Sequence, residues 1–189
     1  KSVTAAFGQV TYDSEERFYR RILERLLPDY RFSSAWCFSR KDAMIDEYIV
    51  EYDEYAGLGS GSIGFLNGVC YANTFDIPAY IRQVTAGDLP VMAARTFPIR
   101  DQVRYDFLMK LFGTELNLAT LRRKYGTSPW AYLWFAVLAF RLSGRLAYQP
   151  PVLRLTPAGC YAWVIMMREF FIAVNNFRDF CRSERYPDG

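Results

Sequence analysis

The sequence predicts an α+β chain in two parts, strands and a helix over residues 1–75 followed by a helical, winged-helix-like domain over residues 76–189. Three observations lead there. From Ile99 onward the apolar pattern runs helix, helix, helix, two short strands, helix, the order of a winged-helix module. Before residue 75, a segment of helical period leads into residues of β character and then a glycine-rich stretch. The chain has 189 residues, 51% hydrophobic and 17% aromatic, enough apolar material for a sizeable core.

Each element follows from local chemistry. Ser14 to Leu27 puts Phe18, Ile22, Leu23, Leu26 and Leu27 on one helical face, with Ser14 as N-cap and Pro28 as stop. Tyr30 to Ser39 reads as a short strand. Between Lys41 and Glu54, the carboxylates Asp42, Asp46, Glu47, Glu51, Asp53 and Glu54 alternate with apolar residues and predict a solvated acidic face. Tyr55 to Leu58 predicts a strand whose end turns through Gly59, Ser60 and Gly61, so that backbone can approach a flat ligand. A turn pair, Asn67-Gly68, follows. Asp76 caps a helix with Pro78 in its first turn and Gly87 past its end.

The second part reads as helices over Ile99 to Phe112 and Asn117 to Tyr125, the latter closed by Gly126. Ser128 or Thr127 caps a third helix ending at Gly144, whose Trp130, Tyr132, Leu133, Trp134 and Phe135 are expected to be buried. RLAYQPPVLRLTPAG predicts two strands joined at Pro150-Pro151. Cys160 to Cys181 is one long helix, with Met166 and Met167 as core filler.

Composition removes several kinds of chemistry. With no histidine, the chain lacks the commonest general base and the middle member of any Ser/His/Asp or Cys/His system. Cys37, Cys70, Cys160 and Cys181 lie 33, 90 and 21 residues apart, a spacing of isolated buried thiols rather than of a zinc site or iron–sulfur loop. No run of 18 residues is apolar and free of charge, and no leader pattern opens the chain, so a cytoplasmic location without a membrane partner is expected. A first residue of Lys1 rather than Met leads us to expect a piece of a longer protein. Net charge is −2 over residues 1–100 and +5 over residues 101–189. Arg122-Arg123-Lys124 with Arg141, Arg145 and Arg154 permit a winged-helix nucleic-acid binder, but +5 is weak for duplex DNA and a buried third helix cannot read a groove, so no nucleic-acid partner is expected. A catalytically inactive module that binds a tetrapyrrole or a protein is a further alternative.

The glycine stretch, EYAGLGSGSIGFLNGVCYANT, contains G-x-G-x-x-x-x-G and opens no helix, and no Gly-Lys-Ser/Thr occurs, so Rossmann and Walker phosphate loops are excluded. The order SEERFYRRILERLLPDYRFSSAWCFSR, then DEYAGLGSGSIGFLNGVCYAN, a helix with A-Y-I, and a helical domain reaching LRLTPAG resembles the C-terminal portion of oxygen-independent coproporphyrinogen III oxidases and their radical-SAM relatives. The resemblance spans nearly the whole chain. It implies the last strands of a partial (β/α) barrel, with Gly59, Ser60, Gly61, Ser62 and Ile63 bordering the S-adenosylmethionine pocket and Ile63 as apolar contact to the nucleoside. It implies oxidative decarboxylation of tetrapyrrole propionates in heme biosynthesis, with Arg100, Arg104 and Arg122 as partners of substrate carboxylates. The family's C-x-x-x-C-x-x-C loop is absent here, so the [4Fe-4S] cluster and most of the S-adenosylmethionine site are expected in a preceding N-terminal barrel, leaving this fragment inactive alone. Exposed strand edges of a partial barrel predict self-association.

Overall fold

The structure is a computed structural model and describes residues 12–40 and 52–183. The acidic side chains Asp42, Asp46, Glu47 and Glu51 fall outside the described residues. Helix α1 (Tyr12–Leu26) carries acids in its first turn and Arg25 in its last, complementing its dipole. It is held to the rest of the fold by Tyr19, whose hydroxyl donates to the Ala35 carbonyl, and by an Arg168–Glu15 ion pair at 2.9 Å. The strand expected over Tyr30 to Ser39 is instead a corner of two short antiparallel strands, β1 (Arg31–Phe32) and β2 (Phe38–Ser39). Small residues cause the bend: Ser33, Ser34 and Ala35 are buried, and both serine amides donate to the Cys37 carbonyl.

Next comes a three-stranded antiparallel sheet in the order β3 (Ile63–Leu66), β4 (Val69–Asn73), β5 (Val91–Thr96). The β3–β4 hairpin turns at Asn67 and Gly68, both at positive φ (49° and 76°), as the Asn-Gly pair requires. Between β4 and β5 lies α2 (Ile77–Ala86), capped as the sequence predicts: Asp76 accepts from the Ala79 amide at 2.7 Å and Gly87 closes the helix at φ +84°. This sheet runs from residue 63 to residue 96, across the expected division at 75/76.

Two expectations about this region are corrected. Tyr55 to Leu58 forms no strand, only an antiparallel bridge of Tyr55 to Phe65, because the chain at Gly57 crosses tightly over the Ile63 backbone. All strand pairing among the described residues is antiparallel, so the expected parallel (β/α)-barrel strands are not seen here; the sheets are small and no barrel closes.

The remaining elements are α3 (Ile99–Phe112), β6 (Glu115–Asn117), α4 (Leu118–Tyr125), α5 (Trp130–Leu142), β7 (Leu146–Gln149), β8 (Val152–Leu155) and α6 (Pro157–Ser183). The sheet order β6-β8-β7 is that of a winged helix, with the first strand paired to the last. Strand β6 escapes the sequence reading because Asn117 serves twice, as its last residue and as the side-chain cap of α4, accepting from the Ala119 amide at 2.9 Å. At the start of α6, Thr156 ties the TPAG segment together: its hydroxyl donates to the Gly144 carbonyl at 2.8 Å and accepts from the Gly159 amide at 3.1 Å.

The core of the molecule sits in this module, around Phe112, Leu133, Leu153, Trp163 and Met167. Helix α6 is long and apolar enough by composition to cross a bilayer, but its first half is the core helix here, with Trp163 fully buried and donating to the Leu108 carbonyl at 2.9 Å. Helix α5 departs from expectation. Leu133 and Val137 are buried, whereas Trp134 and Phe135 are exposed, and no side chain caps it: Pro129 stands at the cap position.

Candidate functional site

Residues 57–63 fold into a turn whose shape depends on glycine. Gly59 and Gly61 have φ of +98° and +72°, which side-chain-bearing residues rarely adopt. A Cβ on Gly61 would strike the Phe75 ring, whereas above Gly59 there is open space. The turn is braced from three sides by residues the sequence reading quotes in its motifs but gives no role.

Asn73, at the end of β4 and buried, directs its side-chain amide at the Gly57 carbonyl (3.0 Å), the Gly59 carbonyl (3.2 Å) and Ser62 Oγ (2.9 Å). Ser62 Oγ in turn donates to the Gly59 carbonyl at 2.7 Å, and Ser60 Oγ donates to the Thr74 carbonyl at 2.8 Å. Two tyrosine hydroxyls accept turn amides at 3.0 Å, Tyr71 from Gly57 and Tyr80, on α2, from Gly59. Tyr71 reaches Gly57 because its cross-strand partner is Gly64, which has no side chain to hold the ring away. The turn is therefore a preorganised polar cage, open at Gly59, with the half-buried Ile63 leading out of it into β3.

The structure thus brings Gly59, Ser60, Gly61, Ser62 and Ile63 together. The three arginines lie on other elements. Arg100 and Arg104 are exposed near the start of α3 and share Asp101, at 2.9 and 3.9 Å, and Arg122 is exposed on α4. The common partner of Arg100 and Arg104 is a neighbouring carboxylate of the same helix turn, the ordinary arrangement of surface charges.

A second charged centre lies between the chain entering the turn and the winged-helix module. Asp53 bridges Lys110 (2.8 Å) and Lys124 (3.3 Å), and Lys124 also meets the buried Asp106 at 2.8 Å, where Tyr125 donates at 2.8 Å. Burial would raise the Asp53 carboxyl, but hydrogen bonding and charge from Lys110, with Lys124, hold it below the usual carboxylate value. Asp53 is therefore a tether and not part of a merely solvated acidic face. The centre borders a cleft of about 520 Å³.

These residues do not fit an iron–sulfur cluster. Among the described residues no group of three or more potential ligands lies together, and none of the four cysteines is in a disulfide. Burial pushes the Cys160 thiol up to about 12 and raises that of Cys70, opposing the thiolate that iron requires.

No family model matches the chain, and no curated protein matches it in sequence. Among solved structures, coproporphyrinogen III oxidase from Escherichia coli, a radical SAM enzyme, is similar with a TM-score of 0.54 at 12% identity. The match covers 82% of this chain and 40% of that one, so the chain spans well under half the length of its structural neighbour. At that identity the likeness is one of fold: a mixed helix-and-strand arrangement shared with part of a radical SAM enzyme.

Proposed function

We propose that these residues form the C-terminal part of a radical SAM enzyme resembling oxygen-independent coproporphyrinogen III oxidase, and that the partner completing the site is a preceding N-terminal barrel. The observation that carries this reading is an unfinished surface beside the glycine turn. Helix α2 buries no residue, yet exposes Ile77, Ile81 and Val84. Around it Leu58, Leu89 and Met92 are exposed as well, Leu58 and Leu89 at 86% and 84%. An exposed apolar face of this extent marks an interaction surface. It adjoins the turn directly, since Tyr80 of α2 accepts the Gly59 amide.

In this reading the preceding part supplies the cluster ligands, and S-adenosylmethionine supplies the radical chemistry of the complete protein. Residues of this chain border the pocket: Asn73, Tyr71 and Tyr80 fix the turn, Gly59 leaves room for a flat ligand, and Ile63 gives an apolar contact. The winged-helix module closes the open end, with Arg100, Arg104 and Arg122 offered to carboxylates of a tetrapyrrole substrate. The test is S-adenosylmethionine binding by the complete, anaerobically purified protein. Ile63→Ala should weaken it about tenfold, the worth of a modest apolar contact. Binding unchanged by Ile63→Ala, with the variant folded, would remove the turn from the pocket.

A further inference from the structure

The structure assigns a second role to the outward face of α5: we propose that it seats the chain on an anionic lipid surface. This does not depend on the radical SAM reading. One side of α5 enters the core through Leu133 and Val137, while the other displays Trp134 (59% exposed), Phe135 (68%), Leu138 (45%) and Leu142 (81%). Spacings of three, four and seven residues place these on one stripe, and the Trp134 and Phe135 rings meet edge to face at 5.7 Å. Four large apolar side chains in one continuous stripe exceed the scattered exposure ordinary on a protein surface.

Charge chooses the occupant. From residue 116 to residue 168 the sequence contains seven Lys or Arg and no Asp or Glu. Lys124, Arg154 and Arg168 are paired with carboxylates from outside that span, whereas Arg122, Arg123, Arg141 and Arg145 are exposed. Arg141 follows Leu138 by three residues and so stands at the C-terminal end of the stripe, and Arg145 lies just past the end of α5, beyond Gly144. The span itself contributes no carboxylate to repel an extended negative surface, which suits such an occupant better than a protein partner of mixed charge. Duplex nucleic acid is also extended and negative, yet reading its groove calls for polar side chains at the positions Trp134, Phe135, Leu138 and Leu142 fill. Aromatic and leucine side chains flanked by arginine are instead the composition of a segment resting at a lipid headgroup boundary.

The experiment is sedimentation of the chain with vesicles of phosphatidylcholine, with and without about 30% phosphatidylglycerol, at ~150 mM salt. The chain should bind the anionic vesicles at least about tenfold more strongly than the neutral ones, with a blue shift of tryptophan emission. Trp134→Gln with Leu142→Gln, and separately Arg141→Gln with Arg145→Gln, should each reduce that binding about tenfold. All four positions are exposed, so the melting curves should be unchanged. Absence of binding to anionic vesicles overturns the proposal, as does binding that both variants retain. Two further results in its place would also overturn it: a dimer lost in the Trp134 and Leu142 variant identifies a second copy as occupant, and retention on duplex DNA identifies nucleic acid.

Discussion

Asn73 organises the glycine turn with one side chain. Its amide serves two carbonyls and a hydroxyl of the half-buried turn. Asn73→Ala should cost about 1–2 kcal/mol in urea unfolding through the hydrogen bonds it removes from the turn; a loss below about 0.5 kcal/mol would show that the turn does not depend on it. Asp53 gives a pH signature. Its folded pKa lies below its unfolded one, so its contribution is fully present above the unfolded value and is lost as pH falls through the carboxylate range. Asp53→Asn should therefore flatten the acid side of the stability profile and leave the neutral-to-alkaline side parallel. At this scale the glycines were legible and their supports were not. Gly59 and Gly61 announce positive φ by type, whereas nothing in the letters Tyr71, Asn73 and Tyr80 says that a hairpin and a helix will aim them at one turn. For the arginines residue type suggested carboxylate recognition, and the geometry shows Arg100 and Arg104 beside a common surface neighbour, Asp101.

Among elements, those with end signals were readable. Helix α2 has Asp76, Pro78 and Gly87 at its ends, and α3 matches its expected span from Ile99 to Phe112. Strands were less so, because pairing partners decide them: Tyr55 to Leu58 has strand composition but makes one bridge, and β6 is three residues shared with a helix cap. Parallel pairing was expected from the resemblance, and the hairpin turn at Asn67-Gly68, visible in the sequence, argued for the antiparallel sheet the structure has. The burial of α5 was misread because periodicity cannot distinguish a helix apolar all round that is enclosed from one that presents half its apolar surface outward. Helix α2 makes its own prediction. Ile81→Glu with Val84→Lys should leave the unfolding free energy within about 0.5 kcal/mol, as these side chains touch little. The same variant should elute as a smaller species than the parent chain if the bare α2 face drives self-association, and unchanged elution would count against that face as a docking surface.

At the level of the whole molecule, the two parts differ in completeness. The winged-helix module has a core from Val103 to Met167, with the α5 stripe outside it, whereas the sheet β3–β5 with α2 buries little beyond Phe65 and Ala72 and exposes Ile77, Ile81 and Val84 around a well-braced turn. That bare α2 face, with a structural neighbour of which the chain spans 40%, is what supports the proposal that these residues are the C-terminal part of a longer enzyme. The likeness in fold does not bring the substrate with it, because at 12% identity it carries no residue roles across. The most direct measurement is the reading frame immediately upstream of the Lys1 codon in the native gene. An open frame running back through a C-x-x-x-C-x-x-C segment is the predicted result; a start codon within a few residues of Lys1 would contradict the account and leave a free-standing binding module.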